Sequence, residues 1–295
     1  MAVLLQDLLD STIARLIPLS DTPQLDAQVL LAHSFAKPRT WLLAHTSAAP
    51  DVKSAARLEK LVRRLEKGEP LPYVLGHWEF YGLDFHITPK VLIPRPETEL
   101  LVERAIAWLR PSGDESPKEP PRIVADIGTG SGCIAVSIAR NLPGVCVVAT
   151  DISTEAIKVA QRNARKFNVL RQIDFLACDI LPERVRSFSS MRPFDLVCAN
   201  LPYIPTGKLQ QLPVYQREPT LALDGGPDGL DPFRKLFSLV PDWMAPGGRI
   251  LLEVESTRAA AALSLAYDAF TAASFHLHRD LAGSDRLLEI KLSTE

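Results

Sequence analysis

The chain has 295 residues, 46% hydrophobic and 23% charged, with a formal net charge of −2; this is the make-up of a soluble globular protein of one large domain, or of a small one plus a medium one. The charge balance, with no clustered basic stripe, argues against a grip on bare nucleic acid and for a protein or small-molecule partner. No apolar run reaches the roughly 18 residues that a membrane span needs.

The first 70 residues carry helical patterns only. Val3, Leu4, Leu5, Leu8, Leu9, Ile13, Leu16 and Ile17 recur at helical spacing. With Asp7 and Asp10 among them, this opening reads as an amphipathic helix and not as a targeting peptide. Pro18 stops it. Thr22-Pro23 reads as a cap with proline at the first helical position, opening a helix through Leu25, Val29, Leu30 and Leu31. Asp51 caps a further helix through Leu58, Leu61, Val62 and Leu65, which Gly68 terminates. Within it, the basic stretch RLEKLVRRLEK has Glu59 and Glu66 among its cations and reads as a solvated face. The expectation is a helical bundle over residues 1–72, a partner-binding domain with a modest core.

From Tyr73 to Ile93 the alternation of Trp78, Phe80, Leu83, Phe85 and Ile87 around Gly82 predicts a β-hairpin, a linker over 73–93. Prolines 89, 94 and 96 end it, and a helix over 97–110 follows. The next stretch, PSGDESPKEPP, reads as a surface loop or disordered insert. From Arg122 the runs IVADI, VCVVATD, IDFLACD, FDLVCAN and RILLEVE alternate with helices, and strand-like runs at Phe275–His278 and Leu287–Leu292 close the chain. Residues 94–295 are therefore expected to form an α/β, doubly wound, mostly parallel sheet with a terminal antiparallel pair and ligands at the carboxyl ends of the strands. Cys133, Cys146, Cys178 and Cys198 lie in apolar segments without paired metal spacing, which suggests buried, reduced thiols in a cytoplasmic protein. The six histidines form no ligand set, so no metal is expected.

The first of these strands runs into Gly128-Thr129-Gly130-Ser131-Gly132 and then a helix. Such a turn brings a ligand close to the main chain, but a dinucleotide fold carries glycines in the same place. The acids at three successive strand ends, Asp126, Asp151 and Asp179, suit a ribose, an adenine edge and a positive sulfonium better than a pyrophosphate. S-adenosylmethionine is the cofactor they indicate, with S-adenosylhomocysteine as product. Asp151 alone could equally be a helix N-cap.

The fourth strand ends in Asn200-Leu201-Pro202-Tyr203. A planar NH2 group is a weak nucleophile and needs two acceptors to aim its nitrogen at a methyl donor. The Asn200 side-chain oxygen and a backbone carbonyl near Leu201 can supply them. Pro202 stiffens the turn and Tyr203 offers an aromatic face. Asn200, Pro202 and Tyr203 are the catalytic candidates, and Asn200 to Tyr203 the substrate site.

These residues, together with VLIPRPETELLVE (91–103), VADIGTGSGCIA (124–135), ATD (149–151), ANLPYI (199–204) and EPTLALDGGPDGL (218–230), make the chain resemble the HemK/PrmC family, the N5-glutamine methyltransferases of peptide chain release factors. The resemblance implies a class I methyltransferase-like fold and cofactor contacts at Gly128 to Gly132, Asp151, Asp179, Ile180 and Asn200. It also implies that Asn200 to Tyr203 hold the glutamine of a GGQ loop, while the helical domain grips the release factor. A monomer without metal, membrane or direct nucleic-acid contact is expected. The family's usual tetrapeptide is NPPY, and Leu201 departs from it. NLPY also occurs at this strand end in adenine-N6 methyltransferases of ribosomal RNA, which is the alternative activity; a cofactor-holding adaptor without catalysis is a third reading. Arg95, Thr98 and Glu218 stand in the family segments, where helix capping or loop packing would also account for them.

Overall fold

Helical stripes close on one another in the first of two compact units, Met1–His77 and Trp78–Glu295, of a computed structural model that describes residues 4–110, 122–182 and 192–294. In the first unit, α1 (Leu5–Leu16), α2 (Pro23–Phe35) and α4 (Val52–Glu66) bury Leu5, Leu9, Leu16, Leu30, Leu31, Leu58 and Val62. Asp51 caps α4 by accepting the Ser54 N–H at 2.8 Å. Thr22 precedes Pro23 at the start of α2, but its side chain caps nothing. Two short helices were not expected, α3 (Arg39–Ala44) and α5 (Leu71–Leu75). Pro38 and Pro70 set the extended residue before each, and five or six residues are too few for periodicity to reveal. Helix α5 claims Tyr73–Leu75, which the hairpin reading had taken. The charged face of α4 is an ion-pair net, with Arg15 reaching Glu59 at 2.6 Å and Glu66 at 2.8 Å. Half-exposed pairs of this kind contribute little stability each.

The hairpin pairs β1 (His77–Phe80) with β2 (Leu83–His86). Tyr81 and Gly82 both have positive φ, the geometry of a two-residue turn whose twist matches the strands. Phe80, Phe85 and Ile87 are buried. Then come α6 (Thr98–Leu109), β3 (Ile123–Ile127), α7 (Cys133–Asn141), β4 (Cys146–Asp151), α8 (Thr154–Lys166), β5 (Ile173–Ala177) and β6 (Phe194–Ala199). After these follow α9 (Thr206–Leu209), α10 (Asp231–Leu239), β7 (Met244–Glu253), α11 (Ala259–Ala269), β8 (Ala273–Arg279) and β9 (Asp285–Leu292). The polar stretch at 111–121 lies outside the described residues.

Seven strands form one sheet in the order β5-β4-β3-β6-β7-β9-β8. Strands β3 to β7 run parallel, and β9 lies antiparallel between β7 and β8. The chain winds from β3 outward to β5 and returns to β6 on the other side of β3, which opens a crevice at the carboxyl ends of the central strands. Val124, Ala125, Leu196, Val197 and Ile250 are fully buried there, as strands covered on both faces require. The four cysteines are free, but only Cys198 is buried. The expectation of buried thiols fails most clearly at Cys146, exposed at the first position of β4, just after the Pro143-Gly144 turn.

Candidate functional site

A cavity of about 310 Å³ opens at the ends of β3, β4, β5 and β6. Gly128, Gly130, Asp151, Asp179 and Ile180 line it, and so do Asn200, Leu201 and Pro202. Thr129, Ser131 and Gly132 are not in its wall. Thr129 and Ser131 are buried, and a Cβ on Gly132 would stand 3.0 Å from that of Ala160, so this glycine serves the packing of α7 on α8. At Gly130, φ is +55° and an added Cβ would meet only the Gly128 carbonyl, at 3.9 Å. The backbone there is left bare to the cavity, which is the approach a cofactor in van der Waals contact with the main chain needs.

The three strand-end acids do different work. Asp126 is fully buried and does not face the cavity: one oxygen accepts from the Thr129 hydroxyl at 2.7 Å and the Ala135 N–H at 3.0 Å. Its other oxygen, Oδ1, has no hydrogen-bond partner among the described residues. Burial raises its carboxyl to about 7. The expectation that all three acids face a ligand is thus corrected at Asp126, which braces the glycine turn from behind. Asp151 does line the cavity. It accepts from Gly130 N–H at 2.9 Å and Ser153 N–H at 2.8 Å, bonds that favour its ionised form while burial pushes its carboxyl up. The N-cap of α8 is Ser153, not Asp151. Asp179 forms an ion pair with Lys235 at the rim. Ile180 holds a positive φ of 65°, a strained conformation for a β-branched residue. Its carbonyl accepts from the buried Thr150 hydroxyl at 2.7 Å, which secures that shape.

The tetrapeptide borders two cavities. Asn200, Leu201 and Pro202 also line a second one of about 210 Å³, where Tyr203, Arg95, Leu212 and Val214 join them. Burial holds the Tyr203 phenol protonated well above its ordinary range. Leu201, the departure from the family pattern, is buried; its Cδ2 stands 3.1 Å from where a Cβ on Gly128 would be. The 218–230 segment clamps the turn: Ile204 N–H donates to Leu223 O at 3.1 Å, Gly225 N–H to Ile204 O at 2.8 Å, and Thr206 N–H to Gly226 O at 2.9 Å. Glu218, almost fully buried, accepts from Ile93 N–H at 3.1 Å and from Arg95, tying the IPRP segment to the same clamp.

Glu253 and Asn163 escaped the sequence reading of the site, and Thr98 was named there without the partners it has. Glu253, at the end of β7, is buried and accepts from the Thr98 hydroxyl at 2.6 Å; burial raises its carboxyl to about 7. Thr98 in turn accepts from Asn200 Nδ2 at 3.0 Å. Asn163 on α8, fully buried, donates to Ser131 O at 2.8 Å and exchanges two bonds with the His86 backbone, joining the hairpin to the glycine turn. A polar residue on an otherwise apolar face was the signal available for Asn163 and Glu253.

Residues 7–76 match the PrmC N-terminal domain and residues 124–213 a methyltransferase domain. The release factor glutamine methyltransferase of Moorella thermoacetica is 41% identical, covering 90% of each chain. That of Rhodopirellula baltica is 35% identical, over 92% of this chain and 90% of its own. A methyltransferase from Pyrococcus furiosus, 20% identical, superposes with a TM-score of 0.50 over 72% of this chain and 89% of its own, a likeness of fold alone. The fold is that of a class I methyltransferase, and the chain belongs to the release factor glutamine methyltransferase family.

Proposed function

We propose that this chain transfers the methyl group of S-adenosylmethionine to the side-chain amide nitrogen of a glutamine in a peptide chain release factor, the glutamine of its GGQ motif. The observation that carries the reading is the setting of Asn200. Its Nδ2 is committed to Thr98, its Oδ1 has no hydrogen-bond partner among the described residues, and it borders the cavity walled by the glycine turn and Asp151.

Gly128, Gly130, Asp151, Asp179 and Ile180 hold S-adenosylmethionine, which supplies a methyl group on a positively charged sulfur. The fit is chemical: the main chain is bare at Gly130, and each Asp151 oxygen keeps a lone pair beyond the one given to a backbone N–H. Thr129, Ser131 and Gly132 shape the turn from behind. Asn200 Oδ1 and the Leu201 carbonyl accept the two N–H bonds of the substrate amide and aim its nitrogen. Leucine supplies that carbonyl as well as proline does. Pro202 stiffens the turn, and Tyr203, a neutral phenol, packs its face on the planar group. No strong base is required of the protein; positioning carries most of the rate.

The helical unit at residues 1–77 is the part we assign to gripping the release factor, and a cytoplasmic monomer is the form proposed. Among the described residues no helix is long and apolar enough to cross a membrane, and no cluster of His, Cys, Asp or Glu is set to hold a metal ion. The net charge of −2 and the name carried by the relatives favour glutamine over the adenine of ribosomal RNA. Incubation with S-adenosylmethionine and a release factor, followed by peptide mass spectrometry, tests the reading. A single methyl on the GGQ glutamine supports it; a methyl on any other residue, or none, refutes it.

A further inference from the structure

Thr98 opens α6 but caps nothing, since the N-cap position is held by Glu97. Thr98 is 2% exposed and sits between two groups, Glu253 Oε2 at 2.6 Å and Asn200 Nδ2 at 3.0 Å. A hydroxyl has one proton to give and lone pairs to receive with. An ionised carboxylate only accepts, so the Thr98 proton is committed to Glu253 and a lone pair is left for Asn200. Only the NH2 end of the asparagine can answer a lone pair. The Asn200 side chain, which could otherwise reverse end for end, then has its oxygen facing the cavity.

We propose that Glu253 and Thr98 form a positioning relay in which the Glu253 carboxylate, acting through the Thr98 hydroxyl, sets which end of the Asn200 amide meets the substrate. The inference rests on the role given to Asn200 above. When Glu253 takes up a proton on Oε2, the oxygen that faces Thr98, it becomes a donor toward that hydroxyl, and the Thr98 proton turns to Asn200. The asparagine oxygen answers it, and the NH2 end faces the cavity. Two NH2 groups then oppose each other, and the substrate amide loses an acceptor.

The charged groups that act on Glu253 come from β9 and from the segment leading into α6. Arg286 on β9 and Arg95 ahead of α6 favour the carboxylate, while Glu97 opposes it. Tyr203 and Cys133, which feel its charge, both stay protonated near neutrality. Burial raises the Glu253 carboxyl to about 7, so both arrangements are populated near neutral pH. The sign is fixed: turnover rises with pH as Glu253 ionises.

The chain has four asparagines, so asparagine-selective ¹⁵N labelling gives four side-chain NH2 pairs, and Asn200→Ala identifies the one from Asn200. From about pH 5.5 to about pH 8.5 the Asn200 pair is expected to titrate with an apparent pKa near that of Glu253. In Glu253→Gln that titration disappears. Thr98→Val abolishes it and lowers kcat for methyl transfer by about 10- to 100-fold with cofactor affinity kept. Thr98→Ser, with its hydroxyl, recovers the titration and most of the turnover. An Asn200 pair indifferent to pH or to Glu253→Gln overturns the relay, and so does a folded Thr98→Val that turns over like wild type. If no release factor is methylated at all, the functional reading fails, while the titration of Asn200 still decides the relay.

Discussion

Gly229→Ala adds one methyl group at the place where the 218–230 segment supports the NLPY turn. An ideal Cβ there stands 2.3 Å from the Tyr203 carbonyl oxygen, where real Cβ atoms essentially never come within 3.0 Å, so the two segments must part by about 0.7 Å. The clash is with backbone on both sides, and no rotamer relieves it. The left-handed φ of +82° adds about 1 kcal/mol for any residue with a Cβ. Parting the segments also stretches the Gly225–Ile204 and Ile204–Leu223 backbone bonds, now 2.8 and 3.1 Å, each contributing about 1 kcal/mol. The sum is about 2–4 kcal/mol, a drop in Tm of about 5–15 °C for a unit of this size. Passed along the turn from the Tyr203 carbonyl to the Leu201 carbonyl that accepts from the substrate, a displacement of this order lowers kcat by about 10²-fold. The glycine turn and Asp151 are not involved, so cofactor Kd stays near wild type. Thermal melts, calorimetric titration with S-adenosylmethionine and initial rates on a release factor measure the three quantities. Gly144→Ala, where an added Cβ meets nothing within 4 Å, is the control. A Gly229→Ala protein with wild-type Tm and kcat would refute the clamp.

Asn200→Ala removes one acceptor of the substrate amide and is expected to lower kcat by about 10²- to 10³-fold with cofactor Kd little changed, as single-turnover rates and calorimetry will report. Leu201→Pro keeps the carbonyl and gives up a buried contact with Gly128, so kcat should stay within about threefold; a large gain in steady-state rate would mean that Leu201 had altered the substrate. Asp126 binds its proton more tightly folded than unfolded, with a folded pKa of about 7 against 3.8. Its contribution to stability is therefore full below about pH 4 and is lost as pH rises through about 7. Asp126→Asn stays neutral throughout, so its stability relative to wild type should improve by about 3 kcal/mol between about pH 5 and about pH 8 in urea unfolding. No change of that difference with pH would show that Asp126 is not buried as described.

What could be read from the sequence was whatever repeats or is local. The helical stripes of α1, α2 and α4, the Asp51 cap, the Tyr81-Gly82 hairpin and the run of parallel strands all follow from period and turn chemistry within a few residues. The short helices α3 and α5 were invisible because a single proline-started turn has no period. At the site, the glycine turn, Asp151 and NLPY could be found because each stands at a strand end. Asp126 stands at one too, but whether such a carboxylate faces a ligand or its own helix depends on the backbone between residues 127 and 135, which spacing does not reveal. The partners of Thr98 and Glu218 are 155 and 123 to 125 residues away in the chain. Local reading offered capping for Thr98 because only a folded sheet brings β7 beside α6.

Transfer of a labelled methyl group from S-adenosylmethionine to two acceptors side by side, a release factor and ribosomal RNA, tests the assignment of glutamine as the methyl acceptor. Label is expected on the release factor alone, lost when its GGQ glutamine is changed to alanine. Label on RNA adenine, or label on the release factor that survives that change, would contradict it.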